Sequence, residues 1–117
     1  CNRYEANMIN TAEEGIQLVD KLGLDNVGLL LDTFHMNIEE PDILQSFQKA
    51  GYRVFHVHIA DSNRWYPGAG HIDFKAIVSK LEAMDYEGFL SAEIMPKPDV
   101  EKAAEETVQH MRPMIKK

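Results

Sequence analysis

The sequence predicts an α/β fold in which short parallel strands alternate with helices. Short apolar runs, typical of strands buried on both faces, are separated by helical patterns of about ten to fifteen residues. Three of these runs carry an ionisable residue at or next to their C-terminal end, namely Asp32, His58 and Glu93. The 117 residues, 44% hydrophobic and 26% charged, have the composition of one globular unit, so residues 1–117 are interpreted as a single domain.

The first helix is indicated by Thr11 and Glu14, which have the spacing of a capping box, and it is expected to end at Gly23. The apolar run Val27–Leu31 follows and predicts a buried strand that ends at Asp32. The remaining elements continue the alternation: a helix from Pro41 to Gly51, a strand Val54–Ile59, a helix capped by Asp73, a strand Phe89–Ile94 and a helix from Asp99 to Pro113.

Residues 3–5 are interpreted as the tail of one further strand, which makes four βα units in whole or part. Strands joined through helices pair in parallel by right-handed crossovers. A complete (β/α)₈ barrel, or TIM barrel, needs about 250 residues. The sequence therefore predicts half of such a barrel.

Successive residues of a strand point to opposite faces of the sheet. One parity is wholly apolar and is expected to pack under the helices; its members are Val27, Leu29, Leu31, Phe55, Val57, Ile59, Leu90, Ala92 and Ile94. The other parity faces the barrel interior, where Leu30, Val54 and Phe89 are expected to help fill an apolar layer. Toward the C-terminal end of each strand, this second parity carries Asp32, His58 and Glu93, respectively. Ligands of parallel α/β folds bind at that end.

Asp32, His58 and Glu93 offer two carboxylates and one imidazole, a donor set suited to Mn²⁺, Mg²⁺, Co²⁺ or Zn²⁺. The alternative is that each residue only ends its strand and meets solvent. His56, one layer deeper, is interpreted as a hydrogen-bonded core histidine, and His71 as a loop residue.

Three further residues are candidates for substrate contacts. His35 follows a strand end and either orients the site, contacts substrate or is an exposed loop histidine. Arg64 lies in the long connection 60–72 and offers a planar fork of donors for substrate oxygens, with a plain surface arginine as the alternative. Glu5 is expected to point inward from its strand tail.

The net charge is −7 and the isoelectric point is about 5.1. Such a surface repels phosphate backbones and anionic membranes, so neither nucleic acid nor a membrane is expected as a partner. No apolar run has the length of a membrane span, and the single cysteine, Cys1, forms no internal disulfide. A cytoplasmic location is therefore expected.

Four segments together resemble a known family: Leu31-Asp-Thr-Phe-His-Met-Asn-Ile-Glu-Glu40, His56-Val-His-Ile-Ala-Asp-Ser-Asn-Arg64, Pro67-Gly-Ala-Gly70 and Ala92-Glu-Ile94. They look like the xylose-isomerase-like (β/α)₈ barrels, and most closely the ketose 3-epimerases of the D-tagatose and D-psicose type. The resemblance implies the C-terminal half of such a barrel. It implies a metal-dependent sugar isomerase or epimerase that transfers protons through an enediolate, with Mn²⁺ as the expected metal.

Carried over by position, the resemblance implies that Asp32, His58 and Glu93 bind the metal, and that Glu93 is also a catalytic acid/base. Glu5, His35 and Arg64 would contact the sugar. A further glutamate, the fourth ligand and second acid/base, would lie just upstream of Cys1. The chain by itself is therefore expected to be an incomplete, inactive fragment that pairs with itself as a homo-oligomer or with a complementary N-terminal half.

Other functions stay open at this point. Hydroxypyruvate isomerases and inosose dehydratases share much of the same pattern of histidines and glycines. A zinc endonuclease of the endonuclease IV type uses similar ligands, although the acidic composition argues against it. A non-catalytic half-barrel that serves as a binding module is the third alternative.

Overall fold

The structure, a computed structural model, describes residues 1–115 and consists of a parallel sheet with helices between its strands. The elements, in chain order, are helix α1 (Ala12–Leu22), strand β1 (Leu29–Asp32), helices α2 (Thr33–Glu39) and α3 (Ile43–Ala50), a 3₁₀ turn (Gly51–Arg53), strand β2 (Val54–Ile59), helix α4 (Phe74–Ala83), strand β3 (Leu90–Ala92) and helix α5 (Val100–Met111). The predicted α/β class is confirmed.

Helix α1 begins and ends as its sequence predicts. The Thr11 hydroxyl accepts a hydrogen bond from the Glu14 backbone N–H, and the Glu14 carboxylate accepts one from the Thr11 backbone N–H, which completes the capping box. Gly23 ends the helix in the left-handed region, at φ 61°, where a side chain would be strained. The helices α3, α4 and α5 are capped at their N-termini by Asp42, Asp73 and Asp99, whose carboxylates each accept a hydrogen bond from a backbone N–H of the first turn.

The three strands lie in the order β1-β2-β3, and both pairings are parallel. In the register, Asp32 lies beside His58, which itself lies beside Ser91. The carboxyl ends of all three strands therefore meet at one edge of the sheet.

The hydrophobic core lies between the sheet and the helices. The sheet contributes Leu31 of β1 and Val57 and Ile59 of β2, which are all buried in this core. Phe47 of α3 and Phe74 of α4 cover them and are 0% and 1% exposed. The expectation that this apolar parity packs under the helices is confirmed for these strand residues.

The predicted fourth strand is not formed. The backbone N–H groups of Glu5 and Ala6 both donate to the carbonyl of Asn2, which curls residues 2–6 into a turn. The Arg3 guanidinium pairs instead with the Glu39 carboxylate of α2 at 2.9 Å. The interpretation of residues 3–5 as a strand tail was therefore wrong, and the sheet of residues 1–115 has three strands.

The first and last strands are shorter than predicted. Strand β1 begins at Leu29 rather than Val27, and β3 covers Leu90–Ala92 rather than Phe89–Ile94. One more ladder bond follows β3, from the Glu93 N–H to the Ile59 carbonyl, before the Met95 N–H turns to the Arg64 carbonyl. Pro96 and Pro98 then follow, and neither has an N–H to continue a ladder.

The side-chain parity fails at the start of β2. Leu29 pairs with Val54 but Leu30 pairs with His56, so an irregularity between Leu29 and Leu30 skips one residue of β2. Val54, expected in the interior layer, is therefore buried in the core at 6% exposure. Phe55, expected under the helices, is half exposed.

Helix α2 was not predicted. Asp32 ends β1 and at once caps α2, because its Oδ1 accepts hydrogen bonds from the N–H groups of Phe34 and His35. Across residues 1–115, the helices are too short and too polar for any of them to cross a membrane.

Candidate metal centre and substrate cleft

The structure brings together the ionisable side chains that end the three strands. Nδ1 of His58 lies 3.3 Å from Oε2 of Glu93 and 3.7 Å from Oδ2 of Asp32. One donor atom from each residue lies within 4.8 Å of the other two. The convergence expected from the strand parity is therefore present, since this edge of the sheet carries two carboxylates and one imidazole.

The two oxygens of the Asp32 carboxylate have different surroundings. Oδ1 accepts the two backbone hydrogen bonds that cap α2, at 2.9 and 3.3 Å. Oδ2 is buried and, among residues 1–115, has no hydrogen-bond partner. Burial raises the pKa of the Asp32 carboxyl above its ordinary value, although the backbone hydrogen bonds from His35 and Phe34 act in the opposite direction. A bound cation would relieve this cost, because it would give the buried oxygen a partner of opposite charge.

Glu93 is the more exposed of the two carboxylates, with 52% of its side chain open to solvent. Its partial burial disfavours ionisation, but the contact with His58 at 3.3 Å and the charges of His58 and Arg64 lower its pKa below the ordinary value. Glu93 is therefore an ionised carboxylate at neutral pH.

The donor set fits a divalent metal ion. Two carboxylate oxygens and one imidazole nitrogen are ligands that Mn²⁺, Co²⁺ and Zn²⁺ all accept, and Mg²⁺ accepts the carboxylates. The buried oxygen of Asp32 is held in place by the capping bonds of its own carboxylate. The three residues would supply part of a coordination shell and leave positions for substrate or water.

Arg64 reaches the same place from the loop 60–72. Its guanidinium donates to Oε1 of Glu5 at 3.1 Å, lies 3.7 Å from Oε2 of Glu93 and stacks 5.0 Å above the centre of the Phe34 ring. Its backbone is in the left-handed region, at φ 62°, an uncommon conformation for a residue with a side chain. The cation is thus fixed beside the metal-ligand candidates.

The loop is anchored by Asp61, a residue that the sequence reasoning did not single out. Asp61 is 0% exposed, and its carboxylate accepts backbone hydrogen bonds from Ser62, Gly68 and Ile72 at 2.7, 2.8 and 3.1 Å. Burial opposes its ionisation, but these N–H groups and that of Gly70 outweigh it and lower the pKa of Asp61. A Cβ on Gly70 would lie 2.3 Å from Oδ1 of Asp61, so the loop closes only around glycine there.

Glu5 and His35 line the same cleft as the metal-ligand candidates. His35 is on α2 and is 9% exposed, whereas Glu5 is exposed and pairs with Arg64. The two are joined by Asn2, which is 2% exposed and which the sequence reasoning also missed. Its side-chain nitrogen lies 2.9 Å from Nδ1 of His35 and 3.3 Å from Oε1 of Glu5. The sequence feature that could have indicated Asn2 is its position three residues before Glu5, in the segment Asn2-Arg3-Tyr4-Glu5.

All six predicted site residues line one cleft of about 370 Å³; they are Glu5, Asp32, His35, His58, Arg64 and Glu93. Of the interpretations left open for His35, the exposed loop histidine is excluded, because the capping of α2 draws this residue into the lining of the cleft. His56 is only partly buried, and its ring lies edge-on to that of His58 with the centroids 5.2 Å apart. His71 is an exposed loop residue, as predicted.

Known proteins with similar sequences are sugar epimerases. Over 92 residues the chain is 46% identical to L-ribulose 3-epimerase from Mesorhizobium japonicum, in an alignment that covers 79% of this chain and 31% of that protein. It is 44% identical over 87 residues to D-psicose 3-epimerase from Enterocloster bolteae, covering 74% of this chain and 29% of the relative. The chain thus spans about 30% of the length of these relatives.

The fold is also that of a solved epimerase. The crystal structure of D-allulose 3-epimerase from Methylomonas sp. matches 97% of this chain with a TM-score of 0.90 at 32% sequence identity, and the match covers 46% of the epimerase chain. The sequence profile of the xylose isomerase-like TIM barrels matches residues 1–114. The chain therefore belongs to the family of xylose isomerase-like TIM barrels.

Proposed function

We propose that this chain is the metal- and substrate-binding part of a ketose 3-epimerase. The observation that carries the proposal is the cluster of Asp32, His58 and Glu93 at the carboxyl ends of three neighbouring strands, with Oδ2 of Asp32 buried and without a hydrogen-bond partner among the described residues. In this fold the active site lies at the carboxyl ends of the parallel strands, and the cluster is at that end of the sheet. The similarity to L-ribulose and D-psicose 3-epimerases supports the choice of reaction.

The three clustered residues would hold a divalent metal ion, with Mn²⁺ proposed and Mg²⁺, Co²⁺ or Zn²⁺ as alternatives. When bound, such an ion supplies Lewis-acid polarisation of a ketose carbonyl and makes the neighbouring C–H more acidic. Asp32 contributes a carboxylate whose orientation is fixed by the start of α2. His58 lies next to it across the β1–β2 ladder, so backbone pairing sets the spacing of these two ligands.

Glu93 is proposed as a catalytic acid/base as well as a ligand. Its pKa is lowered, so the carboxylate is ionised near neutral pH and is ready to accept a proton from the carbon beside the carbonyl. Removal of that proton leaves an enediolate. Inversion then requires a second acid on the opposite face of the sugar to return a proton to the same carbon. By the resemblance, that second group is a glutamate outside this chain.

Arg64, His35 and Glu5 are proposed to hold the sugar. Arg64 places a fixed positive charge 3.7 Å from the Glu93 carboxylate, where it would also attract a developing oxyanion. His35 and Glu5 line the same cleft, with Glu5 in contact with Arg64, and offer one imidazole and one carboxylate to sugar hydroxyls. Contacts from several side chains would keep the reacting C–H in line with the base.

The proposal can be tested in a chimeric barrel in which this chain replaces the matching segment of the Mesorhizobium L-ribulose 3-epimerase. The chimera should epimerise L-ribulose or D-psicose, lose activity with a chelator and regain it with Mn²⁺. Glu93→Gln should lower kcat by about 10²- to 10⁴-fold, the usual range for loss of a general acid/base. Glu87→Gln, a change at an exposed glutamate outside the cleft, is the matched control. Equal activity in the two variants would refute the role of Glu93.

A further inference from the structure

We propose that Asn2 is a positioning residue that holds the His35 imidazole in the tautomer with its hydrogen on Nε2. His35 would then present an N–H donor, rather than a lone pair, to a substrate oxygen in the cleft. The role in substrate binding rests on the proposed function. The tautomer itself follows from contacts within this chain and can be measured without turnover.

Two nitrogen atoms of Asn2 lie within hydrogen-bond distance of Nδ1 of His35. The backbone N–H of Asn2 donates to Nδ1 at 3.2 Å, and the side-chain nitrogen of Asn2 lies 2.9 Å from the same atom. A backbone N–H has no acceptor role, so Nδ1 must offer its lone pair. In a neutral imidazole the hydrogen is then on Nε2.

The orientation of the Asn2 amide is fixed by its other contacts. Its Oδ1 accepts a hydrogen bond from the Tyr4 N–H at 2.9 Å, and its Nδ2 donates to Oε1 of Glu5 at 3.3 Å. An exchange of the oxygen and nitrogen would place an oxygen against the Glu5 carboxylate and an NH₂ group against the Tyr4 N–H. Both contacts would be lost, so the amide presents its nitrogen to His35.

Nε2 of His35 is left open for a ligand. Within residues 1–115 it makes no hydrogen bond, and it is not one of the side-chain atoms sealed from solvent. His35 lines the cleft, and Asn2 is 2% exposed behind it. Asn2 thus fixes one ring nitrogen of His35, while the other nitrogen faces the open cleft. The hydrogen bond at the first nitrogen determines which tautomer a ligand in the cleft would contact.

The tautomer can be measured by NMR on the 117-residue chain labelled with ¹⁵N, above pH 7, where long-range ¹H–¹⁵N correlations distinguish a protonated from an unprotonated ring nitrogen. The His35 signals are assigned by their loss in His35→Gln. In the unaltered chain, Nε2 should give the shift of a protonated nitrogen and Nδ1 that of an unprotonated one. The reverse pattern in the unaltered chain would overturn the proposal.

Asn2→Asp provides the second arm, because it replaces the side-chain donor by an acceptor for Nδ1. The backbone N–H of residue 2 still donates to Nδ1, so the His35 signals should move only part of the way toward the tautomer with its hydrogen on Nδ1. Asn7→Asp makes the same chemical change at an exposed position and should leave them unmoved. Equal spectra for Asn2→Asp and Asn7→Asp would contradict the positioning role. Failure of the chimeric barrel to epimerise ketoses would instead refute the proposed function and leave the tautomer assignment intact.

Discussion

Oδ2 of Asp32 lies 3.7 Å from Nδ1 of His58 and is buried, yet among residues 1–115 it accepts no hydrogen bond. The other oxygen of the same carboxylate is held by two backbone N–H groups at the start of α2. The helix therefore fixes the carboxylate and leaves one oxygen available. Because an unpaired buried oxygen destabilises the fold, a cation at this point would stabilise both the site and the chain.

Asp61→Asn is expected to destabilise the chain by about 1–3 kcal/mol at neutral pH, because the amide cannot accept all the hydrogen bonds that organise loop 60–72. The folded-state pKa of Asp61 is lowered, so its stabilising effect is present above the unfolded pKa of about 3.9 and is lost as the pH falls through the folded value. Urea unfolding should therefore show a difference between the two proteins that shrinks on acidification. Asp25→Asn, at an exposed position, serves as control, and a difference that grew at low pH would contradict the assignment.

Thr33→Val is expected to destabilise the chain by about 1–3 kcal/mol, since it removes a buried hydroxyl that serves two backbone groups. Oγ1 of Thr33 donates to the Ala60 carbonyl at 2.7 Å and accepts from the Ala60 N–H at 2.9 Å, which joins the start of α2 to the end of β2. Thr107→Val removes a partly buried hydroxyl on α5 that bonds only to the Ala103 carbonyl. A chemical-denaturation midpoint for Thr33→Val no lower than that of Thr107→Val would show that the bridge contributes little.

The cluster of strand-end ligands could be predicted from the sequence, because strand parity is simple and each strand has an ionisable residue at or next to its carboxyl end. Asp32, His58 and Glu93 were expected on one face at one edge, and they lie there. Thr11 and Gly23 likewise bounded α1 as expected, since caps depend on a few neighbouring residues. Signals of this kind are local and require no knowledge of tertiary contacts.

The features that could not be predicted from the sequence depend on contacts between distant segments of the chain. The exchange of Val54 and Phe55 follows from a pairing irregularity in β1, which no pattern within β2 reveals. Asn2 and Asp61 are buried polar residues, and their burial is explained only by partners that the fold supplies, His35 for one and the backbone of loop 60–72 for the other. Polar residues are exposed by default, so composition alone does not mark them.

Arg64→Ala in the chimeric barrel should raise KM for a ketose or lower kcat, with a combined loss of about tenfold or more in kcat/KM, while the affinity for Mn²⁺ stays unchanged. The guanidinium contacts the carboxylates of Glu5 and Glu93 but supplies no metal-binding atom. Arg53→Ala, which breaks a remote pair with Asp20, is the matched control. Loss of metal from Arg64→Ala would show that the residue supports the metal site rather than the sugar.

The isolated chain is expected to self-associate, because β1 and β3 each have one edge unpaired among the described residues. In addition, Leu30 is 52% exposed on the face of the sheet that would line the interior of a complete barrel. Light scattering at micromolar concentration should show dimers or larger species. Leu30→Lys should shift the distribution toward monomer. Leu18→Lys, at a leucine that is 43% exposed on α1, should not. A monomeric unaltered chain would contradict this expectation.

Calorimetric titration of the 117-residue chain with Mn²⁺ tests the metal centre most directly. The unaltered chain and Asp25→Asn should bind one ion with equal affinity. Asp32→Asn, His58→Ala and Glu93→Gln should each bind at least about tenfold more weakly, because each removes a donor from the cluster. Circular dichroism should show the same fold for all five proteins. The same affinity in all five, or no binding by the unaltered chain, would contradict the assignment of Asp32, His58 and Glu93 as metal ligands.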